Sequence, residues 1–258
     1  GTEININITV DSFSCTAVTA PVEPTLSEIY ISGYDDEEYT WSTIYYDSNV
    51  TIDNSLITQI NNYLNDWLET DTTYSDLTYI GDEFPAVSDG DKYIYGDYVY
   101  TYWSDNYDGW NVGVLDRTKT SYGQILSSIN GVSVINMSGT FSDCTSLTSA
   151  PTIPSSVTNM EETFSYCTSL TTAPTIPSSV TNMNNTFYGC TSLTSAPEIP
   201  SSVTKMNYTF SGCTNLTGTP EVNANPSNYY QAFYNTQITG ITGTTSMASE
   251  LYATKNGS

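Results

Sequence analysis

The strongest constraint on this chain is a 23-residue step that runs without a gap from residue 136. Four blocks align: NMSGTFSDCTSLTSAPTIPSSVT (136–158), NMEETFSYCTSLTTAPTIPSSVT (159–181), NMNNTFYGCTSLTSAPEIPSSVT (182–204) and KMNYTFSGCTNLTGTPEVNANPS (205–227). Apolar residues keep their own columns. Met137, Met160, Met183 and Met206 form one, Phe141, Phe164, Phe187 and Phe210 a second, and Cys144, Cys167, Cys190 and Cys213 a third. Leu147, Ile153 and Val157 begin further columns. Tandem periods of roughly 20–50 residues belong to solenoids and arrays.

Within a block, Met, Phe and Cys fall at i, i+4 and i+7, which predicts a short helical turn with all three on one face. The Ala-Pro and Ile-Pro pairs that follow forbid helix and favour extended backbone, with the prolines at bends or strand ends. Each rung is therefore half turn and half extended arm. One rung alone cannot bury Met, Phe and Leu, so stability requires stacking on neighbours. The threonine columns that start at Thr145 and Thr148 are read as polar strand formers.

The pattern C-T-S-L-T-S-A-P-T-I-P-S-S-V-T-N-M-x-x-T-F resembles the BspA-like leucine-rich repeat of bacterial surface proteins, over about residues 121–243. The resemblance implies a secreted or surface-displayed protein that binds host, matrix or neighbouring-cell components, and it brings no catalytic residues. This chain departs from the family at the first extended position, where Ala-Pro stands in place of an Ile-type residue.

Composition changes at Arg117. Of the 28 Asp and Glu residues, 22 precede it, and the same stretch is rich in Tyr. Alternation of Ile4, Ile6, Ile8 and Val10 predicts a strand, as do segments 26–32, 39–46, 77–80, 92–95, 98–103 and 110–115. Leu56, Ile57, Ile60, Tyr63, Leu64, Trp67 and Leu68 recur at helical spacing behind Asp53 and Asn54, either of which can cap the start. The expected architecture is an α+β N-terminal domain, residues 1–120, followed by a leucine-rich-repeat solenoid of 23-residue rungs, residues 121–258. Residues 121–136 are read as an imperfect first rung that caps one end, 228–244 as a degenerate last rung, and 247–252 as a closing segment.

Charge and composition exclude several functions. With 5 Lys and Arg against 28 acids the formal net charge is −23, a field that repels nucleic-acid backbones and anionic lipid surfaces. No apolar run approaches the ~20 residues of a membrane span, so no direct membrane insertion is expected. The chain has no His, which excludes Ser-His and Cys-His catalysis and imidazole metal ligands. A carboxylate pair beside Trp103, Tyr107 and Trp110 would suit glycoside hydrolysis. Nothing singles out two such residues, and acidic turns between strands account for them. Asp89, Asp91, Asp105 and Asp108 lie in oxygen-rich loops but match no twelve-residue calcium loop. No catalytic residue, metal ligand or cofactor is assigned.

The expected function is non-catalytic extracellular or cell-surface binding and adhesion, with a protein or glycan on a host or neighbouring cell as partner. The candidate binding residues vary between blocks: Glu161, Glu162, Asn184, Asn185, Tyr166, Tyr188 and Tyr208. Neutral drift at exposed positions explains such variation equally well. Trp103 and Trp110 are candidates for a carbohydrate-binding module in the first domain, although a Tyr-rich strand face packed on the 56–68 helix accounts for most aromatics there. A phage fibre or other receptor-binding component would share this Ser/Thr/Tyr-rich composition. The four repeat cysteines occupy a core-facing column and are expected as free thiols. Cys15 has no evident partner.

Overall fold

The computed structural model describes residues 26–35, 38–47, 73–81, 90–104, 108–129 and 131–257. The expected strand at 4–10, the helix at 56–68 and Cys15 lie outside the described residues. Two compact units are present, one of residues 1–87 with 91–95 and the other of 88–90 with 96–258. This boundary falls before Arg117, where the composition changes, because two strands rich in aromatic residues pack on the solenoid.

In the first unit β1 (Leu26–Asp35), β2 (Glu38–Asp47), β3 (Thr73–Gly81) and β4 (Lys92–Tyr95) lie in the order β3-β1-β2-β4. β1 pairs antiparallel with β2, from Leu26 opposite Asp47 to Asp35 opposite Glu38. β3 is antiparallel to β1, and β4 is parallel to β2.

The second unit opens with β5 (Tyr98–Trp103), β6 (Gly109–Val114), β7 (Ser128–Ile129) and β8 (Val132–Asn136), in the order β5-β6-β8-β7. β-Branched and aromatic residues favour strand in β5 and β6. Residues 121–136 are more than a worn rung. Gly131, at φ 73°, turns the chain between Ile129 and Val132 into an antiparallel hairpin, as an Asn-Gly pair favours, and β8 pairs parallel with β6.

From Asn136 onward each rung has an arc and an arm. In the first arc the amides of Met137, Gly139, Phe141 and Asp143 donate to the carbonyls of Asn159, Glu161, Thr163 and Ser165 in the next rung, at 2.8–2.9 Å. The intervening amides of Thr140, Ser142 and Cys144 turn back to the carbonyl three residues earlier, at 3.0–3.2 Å. The pattern recurs in the next three arcs. It corrects the expected helical turn. Met, Phe and Cys do share a buried face, but residues 139 and 143 and their equivalents through Gln231 and Asn235 have φ between 49° and 77°. Left-handed residues at every fourth position break a helix, and they aim alternate amides at the neighbouring rung.

The prolines begin the next bend, because the carbonyls of Pro154, Pro177 and Pro200 accept from Val157, Val180 and Val203 at 3.1–3.2 Å. After each bend the arm returns to the previous rung, with the Thr181 amide donating to Thr158 and the Thr204 amide to Thr181. Parallel bridges join Asn136 to Asn159, Asn159 to Asn182, Asn182 to Lys205 and Lys205 to Asn228. The stretch before Ala-Pro also pairs, through a bridge from Ser149 to Thr172.

Inside, the rings of Phe141, Phe164, Phe187, Phe210 and Phe233 stack with centroids 5.2–5.5 Å apart and planes within 13°. Beside them the buried hydroxyls of Thr163, Thr186 and Thr209 donate 2.8 Å bonds to the Met137, Met160 and Met183 carbonyls one rung back. Each of the thiols of Cys167, Cys190 and Cys213 likewise donates to a Phe carbonyl, at 3.0–3.1 Å. All four repeat cysteines are free and buried.

Both ends of the stack are covered. Tyr98 and Tyr122 lie against Phe141, with centroids 6.3 and 5.0 Å away, and the Tyr98 hydroxyl donates to the Gly123 carbonyl. At the other end a short helix, Ala248–Ala253, and a 3-10 turn, Thr254–Asn256, bury Leu251. They accept two amides of the last arc: Phe233 donates to the Thr254 hydroxyl oxygen and Asn235 to the Lys255 carbonyl.

Candidate functional site

The four arc positions that vary between rungs hold the candidate residues, and they are exposed or half-buried except at Ser165 and Ser211, which are buried. In successive rungs they read Ser138, Gly139, Ser142, Asp143; Glu161, Glu162, Ser165, Tyr166; Asn184, Asn185, Tyr188, Gly189; Asn207, Tyr208, Ser211, Gly212; Tyr230, Gln231, Tyr234, Asn235. Tyr166 therefore occupies the fourth position of its rung, Tyr188 the third, Tyr208 the second and Tyr230 the first. The tyrosines shift back one position per rung.

The result is an oblique aromatic stripe across the arc face. Tyr166 and Tyr188 meet at 5.2 Å between centroids, Tyr188 and Tyr208 at 6.4 Å, and Tyr208 and Tyr230 at 5.3 Å. Their planes cross at 81–85°, so faces and edges alternate in the arrangement that ring quadrupoles favour. Tyr166 is 47% exposed and Tyr230 54%, while Tyr188 and Tyr208 are half-buried between their neighbours. The structure thus brings the three predicted tyrosines together and adds Tyr230, which the 23-residue alignment hid. The step from Tyr208 to Tyr230 is 22 residues, the same as from Tyr166 to Tyr188, and reading that offset would have found it.

Two stripe residues stand where the backbone disfavours them. Tyr166 and Tyr208 have φ of 57° and 56°. Other rungs fill the same positions with Gly, Asn, Asp, Glu or Gln, and Gly and Asn tolerate left-handed backbone best. Hydrogen bonding to Tyr188, together with that ring's charge, burial and Asp143, holds the Tyr166 phenol above its ordinary range. It is neutral at physiological pH.

The other candidates separate into exposed and structural groups. Glu162 is exposed, and half-buried Glu161 accepts from the Asn182 amide at 3.1 Å. Asn184 is committed to the scaffold. In the earlier rungs Asn159 and Asn182 accept the amide two residues on, but Lys205 offers no acceptor, and the Asn184 side-chain oxygen takes the Asn207 amide instead, at 2.9 Å. Asn185, half-buried at φ 53°, serves as a left-handed turn residue. Trp103 is 44% exposed. Trp110 is a correction: it is fully buried, its indole N–H donates to the Ile129 carbonyl at 3.2 Å, and Tyr102 covers it at 5.7 Å, so no partner reaches it.

The carboxylates offered for calcium fall differently. Asp89 and Asp105 lie outside the described residues, and Asp108 accepts the Tyr102 hydroxyl at 2.9 Å. Among the described residues no three of His, Cys, Asp and Glu come together as a ligand set. No helix among them is long and apolar enough to cross a membrane.

Residues 133–253 match the family described as the BspA type leucine rich repeat region, in six copies. This part of the chain is a BspA-type leucine-rich repeat region. The match extends past residue 243 to include the closing helix. Two solved structures are similar. One is the leucine rich repeat protein of T. pallidum, 21% identical, with a TM-score of 0.36 over 49% of this chain and 68% of that one. The other is a leucine-rich repeat protein from Bacteroides ovatus ATCC 8483, 16% identical, with a TM-score of 0.29 over 56% of this chain and 57% of that one. No curated protein matches the chain.

Proposed function

We propose that this chain is a non-catalytic extracellular binding and adhesion protein, in which a solenoid of 23-residue rungs presents the Tyr166–Tyr188–Tyr208–Tyr230 stripe to a protein on a host or neighbouring cell, and an acidic α+β domain of residues 1–120 precedes it. Repeat-based protein interaction is the role that the BspA-type family supports. The stripe is the observation that carries the reading. Tyrosine is enriched among residues that dominate interface energy, and a row of four on a hydrogen-bonded backbone loses little freedom on binding. Tyr166 and Tyr208 stand at left-handed positions that every rung shares, where Gly or Asn would suit the backbone better, so tyrosine there comes at a cost in stability. The surface location rests on the composition: a charge of −23 with few charged residues and many Ser, Thr, Asn and Tyr.

A glycan reading finds less support at the stripe. The planes cross at 81–85°, so the row offers no continuous flat platform along which successive sugar rings could stack. The test is an array of purified matrix and cell-surface proteins and glycans, probed with the full chain and with a variant carrying Tyr166→Gly, Tyr188→Ser and Tyr208→Asn. Each replacement is the residue found at that arc position in another rung. Protein spots bound by the parent and lost by the variant support the proposal. Retention of every spot by the variant sinks it.

A further inference from the structure

The chemistry around the stripe narrows its partner, on the reading that the stripe is the binding surface. We propose that it binds an extended, arginine-bearing polypeptide segment. Three observations converge. The twenty variable arc positions from Ser138 to Asn235 hold the carboxylates Asp143, Glu161 and Glu162 and no cation. Asp143 stands one rung before Tyr166 in the same position and acts electrostatically on its phenol. Of the nearest cations, Arg117 is bound to the Ser142 carbonyl beside the first arc and Lys255 to the Ile238 carbonyl, while Lys205 lies outside the arc positions.

The rings themselves suit a cation. A neutral tyrosine presents a negative face, and a guanidinium stacks on it while its N–H groups reach a carboxylate. Rings that alternate face and edge leave separate faces for separate side chains. The spacing fits as well. Centroids lie 5.2–6.4 Å apart, and an extended chain places side chains on one face every ~6.6 Å. Arc amides are already spent on neighbouring rungs and turns, so recognition runs through side chains and not through strand addition.

The test uses the full chain and a fluorescein-labelled synthetic peptide of alternating Arg and Ser, with Gln-Ser and Glu-Ser counterparts, read by fluorescence anisotropy. The Arg-Ser peptide is expected to bind the parent and to weaken as salt rises. The variant Tyr166→Gly, Tyr188→Ser, Tyr208→Asn keeps the charge of −23, and it should lose about tenfold or more in affinity. Asp143→Asn with Glu161→Gln and Glu162→Gln, which leaves the rings in place, should also weaken binding and flatten its salt dependence. Circular dichroism and the melting temperature establish that each variant is folded. Equal binding by the parent and the tyrosine variant would mean that bulk negative charge is responsible and would overturn the proposal. Equal binding of Gln-Ser and Arg-Ser peptides would overturn the cationic partner while leaving a protein-binding stripe. If no peptide binds, yet an array partner is captured by the parent and lost by the tyrosine variant, the inference fails and the function stands.

Discussion

The Tyr166 ring lies directly over Gly189 of the next rung: a methyl group on Gly189 would stand 2.9 Å from the ring's Cδ1. Gly189→Ala must therefore push the ring off the backbone, and it also places a side chain at φ 69°. Gly212 occupies the same position one rung later at φ 77°, but a methyl there meets only the Gly189 backbone at 3.5 Å. Gly212→Ala should cost about 1–2 kcal/mol from the left-handed backbone alone. Gly189→Ala should cost more. Urea unfolding of the two variants checks this, and equal losses would mean that Tyr166 moves freely.

Phe187 sits in mid-stack, 5.5 Å from Phe164 and 5.3 Å from Phe210. Phe187→Ala is expected to cost about 3–5 kcal/mol, because rings held on both sides cannot collapse into the gap. Asn184→Ala removes the acceptor of one amide and should cost about 1 kcal/mol. Similar values for the two would show that the inward face has been misassigned.

The Thr186 hydroxyl is a buried donor with a fixed acceptor, the Met160 carbonyl at 2.8 Å. Thr191 is exposed, and its hydroxyl reaches the Thr168 carbonyl only at 3.5 Å. Thr186→Val keeps the shape and loses the bond, for an expected cost of about 0.5–1.5 kcal/mol. For Thr191→Val the expected change lies within about 0.5 kcal/mol. Paired denaturation curves distinguish them, and a larger loss at Thr191 would reverse the assignment of inside and outside.

Burial pushes the Cys213 thiol up to about 12 and holds Cys144, Cys167 and Cys190 above their ordinary value, with Cys144 pulled partly back by Tyr122 and Arg117. The folded chain therefore keeps protons that the unfolded chain releases above about pH 8.5–9. The stabilisation is complete below that pH and is lost as pH rises toward 12. The unfolding free energy should stay level up to pH 8 and then fall, by about 1.4 kcal/mol per pH unit for each responding thiol, with the melting temperature falling in step. At pH 8 iodoacetamide should leave these four thiols unmodified until denaturant is added. Modification of the native protein would show that the core opens.

The solenoid could be read from the sequence because its columns are one-to-one with its core. Met137, Phe141, Cys144 and Leu147 repeat at fixed offsets, all are fully buried, and each phenylalanine stacks on its own copy. The strands around Tyr98–Trp103 were equally plain, since runs of aromatic and β-branched residues leave few alternatives. The arc was not legible. Its backbone alternates right- and left-handed residues, and spacing of i, i+4, i+7 reads the same for that conformation as for a helix. Only the mixture of Gly139, Asn185 and Gly189 with Asp143 hinted at positive φ. Trp110 was misjudged because neighbouring acidic turns suggest an exposed site, while burial depends on β8 and Ile129, distant in sequence. Asn184 looked free to vary. Its oxygen takes the Asn207 amide of the next rung, as the Asn207 oxygen in turn takes the Tyr230 amide, a link between rungs that a single block does not reveal.

The directions of the hydrogen bonds between rungs bear on how long such a stack can grow. In the arc, alternate amides point toward the C-terminal end, as Met160 does to Asn182; in the arm most point back, as Thr181 does to Thr158, although Ile199 points forward to Glu221. An α-helix sums its peptide dipoles along one axis and accumulates a macrodipole. Here the two sides of each rung oppose one another and largely cancel. Duplicating or deleting a rung then changes the length of the array without charging its ends.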